Sequence, residues 1–281
     1  MTEPETVPGA ELPRPAEERR ETPRRPHAVA WDLFFRAMRR FGVRATSFYT
    51  TLGIFLVGGI LLVFIGTIGF ALLAEVVREG ATQQFDVAAL KWIHAHQNPL
   101  LTRVMREMTY LGTGMVVIVI VGVSALFLWH TEHKHSARLL LASTIGGIIL
   151  NNMLKLIFQR ERPSVFEWGA TTASSSFPSG HAMSATVVYG TVAYLAARLQ
   201  KHHASRVLTL TAAVLIILGI CFTRLYLGVH YPTDVIGGIV VGLAWASFCM
   251  ATMEASLMLA RRRAPAAVAE ELPAPKEVAA G

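Results

Sequence analysis

Charge is what this chain has least of. Of its 281 residues 16% are charged and 53% hydrophobic, where a soluble domain carries about 25% charged residues. The deficit excludes an ordinary water-soluble globule and points to a bilayer. Cysteine is nearly absent. Cys221 and Cys249 both lie in apolar runs without metal-ligand spacing, so they read as small buried hydrophobes and carry no information on redox compartment. No Asn-x-Ser/Thr acceptor occurs, which favours a cell that does not glycosylate. A single basic patch is also missing. The formal charge is +7, but the Lys and Arg residues flank apolar runs, which argues against nucleic acid and for anionic lipid headgroups as counter-charge. Residues 1–30 do not read as a secretory signal either, because the first apolar run starts late, near Tyr49, and is too long for one.

What is present is a set of six apolar runs, at about 50–74, 111–130, 138–158, 181–199, 206–223 and 234–259. Each approaches the roughly 20 residues a membrane helix needs. The predicted fold is all-α, a six-transmembrane-helix bundle over 46–260. Residues 1–30, rich in Pro, Glu and Arg, read as a disordered tail, and 261–281 as a second one. Residues 31–45 set Phe34, Phe35, Met38 and Phe41 against four arginines, the pattern of a basic amphipathic helix lying on the membrane. Arg78 to Tyr110 is too polar to cross and predicts external amphipathic helices between the first two spans. His94 and His96 there, and His130, His133 and His135, read as interfacial histidines rather than ligands. Asn151, Asn152, Gly237, Gly238 and Gly242 read as helix–helix packing positions.

With both termini in the cytoplasm, eighteen of the 26 Lys and Arg residues fall on the inner side. The positive-inside bias therefore favours that orientation. It also places three polar motifs together on the outer side.

The first motif is Lys155 with Arg162-Pro163. Seven residues make nearly two helical turns, so both cations share a face about 10 Å apart, and Pro163 then ends the helix. Taken alone, such a pair is also what an outer helix end snorkelling to headgroups looks like. The second is Pro178-Ser179-Gly180-His181, where a hydroxyl and free backbone N–H groups at a helix start suit an anion. The third is Arg224 with His230 and Asp234. Pro232 suits the first position of a helix, so Asp234 reaches back to one nitrogen of His230 and leaves the other free. Cations with backbone donors fit a phosphate, and a carboxylate-backed histidine fits a nucleophile. The constellation points to a phosphate-ester hydrolase acting on a lipid.

The pattern Lys155-x6-Arg162-Pro163, Pro178-Ser179-Gly180-His181 and Arg224-x5-His230-x3-Asp234 resembles the type 2 phosphatidic acid phosphatase family of membrane lipid phosphatases. The resemblance covers about 50–259, and the third motif departs from the usual Ser-Arg start with Thr223-Arg224. It implies that His230 attacks phosphorus, Asp234 orients it and His181 protonates the leaving oxygen. Lys155, Arg162, Ser179, Gly180 and Arg224 would hold the phosphoryl oxygens. It also implies no cofactor and no metal, and a single carboxylate is too few for a magnesium cage. Expected partners are a phosphorylated lipid, such as undecaprenyl diphosphate, phosphatidylglycerophosphate or phosphatidate, and the bilayer, with no nucleic acid. Oligomeric state is not readable. The expected location is the inner (plasma) membrane, with the site facing the exterior. Two rivals stand: a lipid A-type phosphatase or phosphotransferase using the same site, and an anion channel or transporter. A channel would spread charge through several helices and both leaflets. Soluble haloperoxidases share the phosphate-site pattern but not six apolar spans.

Overall fold

The computed structural model describes residues 48–164 and 174–263, with side chains over 57–164 and 174–257. The tails, the expected interfacial helix 31–45 and most of the loop after Ser164 lie outside the described residues. From Leu52 onward the described residues belong to one compact unit.

Eight α-helices follow one another among the described residues: α1 (Phe48–Arg78), α2 (Gln83–Ala95), α3 (Pro99–Thr109), α4 (Gly114–His130), α5 (Lys134–Phe158), α6 (Gly180–Leu199), α7 (His203–Tyr226) and α8 (Pro232–Arg263). A 3-10 turn, Tyr110–Gly112, joins α3 to α4. All six apolar runs are helical. Four helices, α1, α5, α7 and α8, are long and apolar enough to cross a membrane. Together with the turn, α3 and α4 form one bent pair, angled by 51°, that reaches the same standard. The architecture is thus an all-α membrane bundle of four or five such spans. The remaining expected span, 181–199 on α6, falls below that standard.

Composition follows from position. Helix α6 is the hub, packed against α5, α7 and α8, and Ala182, Ala185, Val187, Val188 and Thr191 along it are buried. Small residues let neighbouring backbones close in where lipid offers no hydrophobic drive for association. The outer helices show the opposite pattern, with Val57, Ile60, Phe64, Ile118 and Leu215 more than half exposed. Helix α1 lies against α8, where Cβ atoms built on Gly59 and Gly66 would stand 2.8 Å from the Cβ atoms of Ala251 and Ala244. At one end of the hub, Val188 and Leu195 join Val121, Leu140, Cys249 and Met253 in the main apolar core. The other end of the hub is polar, and the motifs gather there.

Candidate active site

Helix α8 starts at Pro232, so its N-terminus places Asp234 in the first turn. Asp234 is fully buried and His230, in the preceding turn, is 2% exposed. The carboxylate Oδ2 lies 3.5 Å from His230 Nδ1 and accepts from the Tyr231 N–H at 2.8 Å. Ser176 Oγ donates to the same oxygen and stands 3.4 Å from His230 Nδ1. The expected His–Asp pair is present, but a serine that the sequence reading did not single out sits at the junction. Burial pushes the His230 imidazole down to about 4, and Asp234 only partly opposes that shift. The ring is neutral at pH 7, with Nδ1 turned to the carboxylate and Nε2 directed outward.

Arg162 meets that outward nitrogen. Its Nη1 lies 3.4 Å from His230 Nε2 and donates to the Val229 carbonyl at 3.0 Å. Its Nε and Nη2 donate to Ser174 O and Oγ, both at 3.0 Å. Arg162 does not continue helix α5, as the heptad spacing had suggested. The helix stops at Phe158, capped by Gln159 in the left-handed region with φ 42°, four residues before Pro163. Lys155 and Arg162 therefore converge through a turn rather than along one helix face.

The Ser179-Gly180 turn is fixed by the Ser179 N–H donating to the Asp234 carbonyl at 2.9 Å. Ser179 occupies the N-cap of α6 without using its hydroxyl as a cap, and that buried oxygen has no hydrogen-bond partner. A plain capping role for Ser179 is thereby excluded. A Cβ built on Gly180 would come 3.1 Å from Asn151 Nδ2 and 3.7 Å from Lys155 Nζ, so glycine lets the turn close on the lysine. His181 lies in the first turn of α6, within coulombic reach of Arg224, His230, Lys155 and Arg162. Its ring abuts the 3-10 turn, where a Cβ on Gly112 would stand 2.8 Å from Cδ2. Arg224 closes α7. Its Nη1 donates to Thr109 Oγ1 at 2.8 Å, while its buried Nε has no partner.

All eight residues singled out in the sequence stand at this one end of the bundle. Two charged groups not anticipated there join them: Asp86 on α2, fully buried, and Arg160, which bridges it to Asp234. Asp86 was hidden because nothing near it in sequence marks it as a partner of Arg160 and Thr233, 74 and 147 positions away. Arg160 was hidden inside the Lys155–Arg162 motif, whose pattern marks only its two ends.

Likenesses to known proteins bear on this arrangement. The PAP2 superfamily matches residues 136–257, the stretch holding all three motifs. Phosphatidylglycerophosphatase B of Bacillus subtilis is 35% identical over 183 residues, covering 62% of this chain and 86% of that protein. Undecaprenyl-diphosphatase of Sulfolobus acidocaldarius is 29% identical over 177 residues, covering 61% and 80%. A solved transmembrane PAP2-type phosphatidylglycerolphosphate phosphatase from Bacillus subtilis superposes with a TM-score of 0.65 at 28% identity, over 69% of this chain and 96% of that one. The motifs, the helical bundle and these likenesses agree, and the chain belongs to the type 2 phosphatidic acid phosphatase (PAP2) superfamily, among its membrane lipid phosphatases.

Proposed function

We propose that this protein hydrolyses a phosphomonoester or diphosphate headgroup of a membrane lipid through a phospho-histidine. The observation that carries the reading is His230, neutral and buried, with Asp234 on Nδ1 and the Arg162 guanidinium beside Nε2. In the first step the Nε2 lone pair attacks phosphorus and the bond from phosphorus to the lipid oxygen breaks. His181 gives its proton to the departing oxygen. Asp234 stabilises the positive charge that forms on the His230 ring. In the second step water attacks the phospho-histidine, His181 takes its proton, the P–N bond breaks and inorganic phosphate leaves.

Phosphoryl transfer needs charge neutralisation more than covalent help. Lys155, Arg162 and Arg224 supply it, together with the Ser179 hydroxyl and the Gly180 N–H. The unpartnered Ser179 Oγ and Arg224 Nε are the donors a bound phosphoryl group would satisfy. By likeness to its relatives, phosphatidylglycerophosphate, undecaprenyl diphosphate and phosphatidate are the first substrates to test. The charge bias supports a reading with both termini in the cytoplasm and the site on the external side of the inner membrane.

Phosphate release from these lipids by the purified protein in detergent, with chelator present, tests the reading. Wild type should release inorganic phosphate and form an acid-labile phosphoenzyme. His230→Ala should do neither, and retained hydrolysis by that variant would refute the nucleophile.

A further inference from the structure

Behind the His230–Asp234 pair lies a second layer of buried charge. Asp234 divides its oxygens, Oδ2 toward His230, Ser176 and Tyr231 N, and Oδ1 toward Arg160 Nη1 at 2.6 Å. The same Nη1 donates to Thr233 Oγ1 at 2.8 Å. Arg160 Nη2 donates to Asp86 Oδ2 at 2.8 Å and to Gln83 Oε1 at 3.3 Å. Asp86 in turn accepts from Thr233 N at 3.1 Å and from Thr233 Oγ1 at 2.6 Å. The guanidinium lies 4.3 Å from the centre of the Tyr231 ring, and the Tyr231 hydroxyl accepts from Gln83 Nε2 at 3.1 Å. Helix α2 is thereby tied to the first turn of α8 at several points.

Such a layer has a cost that packing alone does not explain. Two fully buried carboxylates around one guanidinium would each be expensive if unpaired, and an apolar cluster would hold two helices together as well. Placement separates the possibilities. A forked donor fixed between two carboxylates sets both the distance and the tilt of the one that faces His230. Both terminal nitrogens of Arg160 are engaged by Thr233, Asp234, Gln83 and Asp86, on the Asp234 side of the His–Asp pair, whereas Arg162 is the guanidinium beside His230 Nε2.

We infer that Arg160 and Asp86 are positioning residues, a clamp that fixes the Asp234 carboxylate behind the attacking imidazole. The inference rests on the reading of His230 as nucleophile. Arg160 supplies the fork, and Asp86 anchors the fork to α2 and balances its charge. The titratable and charged groups facing His230 itself are Asp234, Arg162 and Arg224, with His181, and of these Asp234 is the one the clamp holds.

The test uses the full-length protein in detergent, with Arg160→Gln, Arg160→Lys, Asp86→Asn and His230→Ala assayed together on one lipid phosphate. Arg160→Gln should lower kcat by about 10²-fold, the loss expected when a reacting group is misplaced by about 1 Å, with KM little changed. Removing its positive charge should move the acid limb of kcat/KM to higher pH. Asp86→Asn removes a negative charge and should move the limb the other way, with a smaller kcat loss. Arg160→Lys should restore the limb but only part of kcat. A merely structural role would lower the folded fraction without opposite shifts of the limb. A rise in KM with kcat unchanged in Arg160→Gln would make the residue a phosphate ligand and overturn the clamp, as would an unmoved limb. If Arg160→Gln does not fold, Asp86→Asn decides by the same two readouts. Hydrolysis surviving in His230→Ala would fault the nucleophile instead.

Discussion

At the residue scale the chemistry depends on the protonation of one imidazole. His230 is pushed down to about 4 by burial, so it is deprotonated and nucleophilic above that value and inert below it. Activity governed by this group should be lost only as pH falls through the depressed value, not near the ordinary 6.5. A pH profile of kcat/KM whose His230-dependent acid limb lies below about pH 5 would agree; a limb near 6.5 would contradict it. Ser176 gives a second expectation. Its hydroxyl joins Asp234 and His230 Nδ1, and a hydrogen bond to a charged group contributes about 1.5–3 kcal/mol. Ser176→Ala should therefore lower kcat by roughly 10–100-fold, read in steady-state phosphate release with the folded fraction measured alongside.

At the element scale, close helix contact sets the positions of these side chains. A Cβ on Gly238 of α8 would stand 2.6 Å from the Ser179 carbonyl oxygen and 3.2 Å from Met183 N. Backbone cannot swing aside as a side-chain tip does, so Gly238→Ala should cost about 1–3 kcal/mol and displace the Ser179-Gly180 turn. Thermal unfolding in detergent and the phosphatase assay should both register it. Gly190→Ala, with nothing within 4 Å of the new Cβ, should leave both intact or raise stability by about 0.5–1 kcal/mol. Most of this level was legible in the sequence. Apolar length located every long helix, and Pro232 marked the start of α8. Where α5 ends was not legible, because the visible breaker, Pro163, lies past the true stop at Phe158 and nothing in Gln159 announces a left-handed cap. Nor did apolar length alone show that α6 is enclosed by protein. The site was legible in its three motifs, whose spacing is local. It was illegible where partners meet only in the fold, as Asp86, Arg160 and Ser176 do.

At the scale of the whole molecule, exposed apolar side chains surround a bundle whose polar groups concentrate at one end of the hub helix. A partly buried ionic cluster lies at the opposite end. Arg198 donates to Glu254, which also accepts from Tyr194. Glu254→Leu would leave Arg198, 23% exposed, without its counter-charge, and leaving such a partly buried group unpaired costs roughly 1–3 kcal/mol. Thermal unfolding should show the loss while kcat of the surviving folded enzyme stays unchanged, because the cluster is remote from His230. Orientation is testable at the same scale. Leu100→Cys on α3, at a 73% exposed position, should react with an impermeant thiol reagent on intact cells. Glu132→Cys, in the turn between α4 and α5, should react only after lysis. The reverse pattern would invert the assignment.

The non-helical stretch after Phe158 also sets a gauge. Arg160 grips the carboxylate and Arg162 approaches the imidazole, while Glu161 between them is exposed to solvent. With one residue between them, the two arginines straddle the two ends of the His–Asp couple, a stride set by the number of residues that separate them. The count of residues there is consequently stricter than their identity. Exchanging Glu161 for alanine leaves the stride unaltered, whereas inserting one residue beside it turns one of the two arginines away from its target.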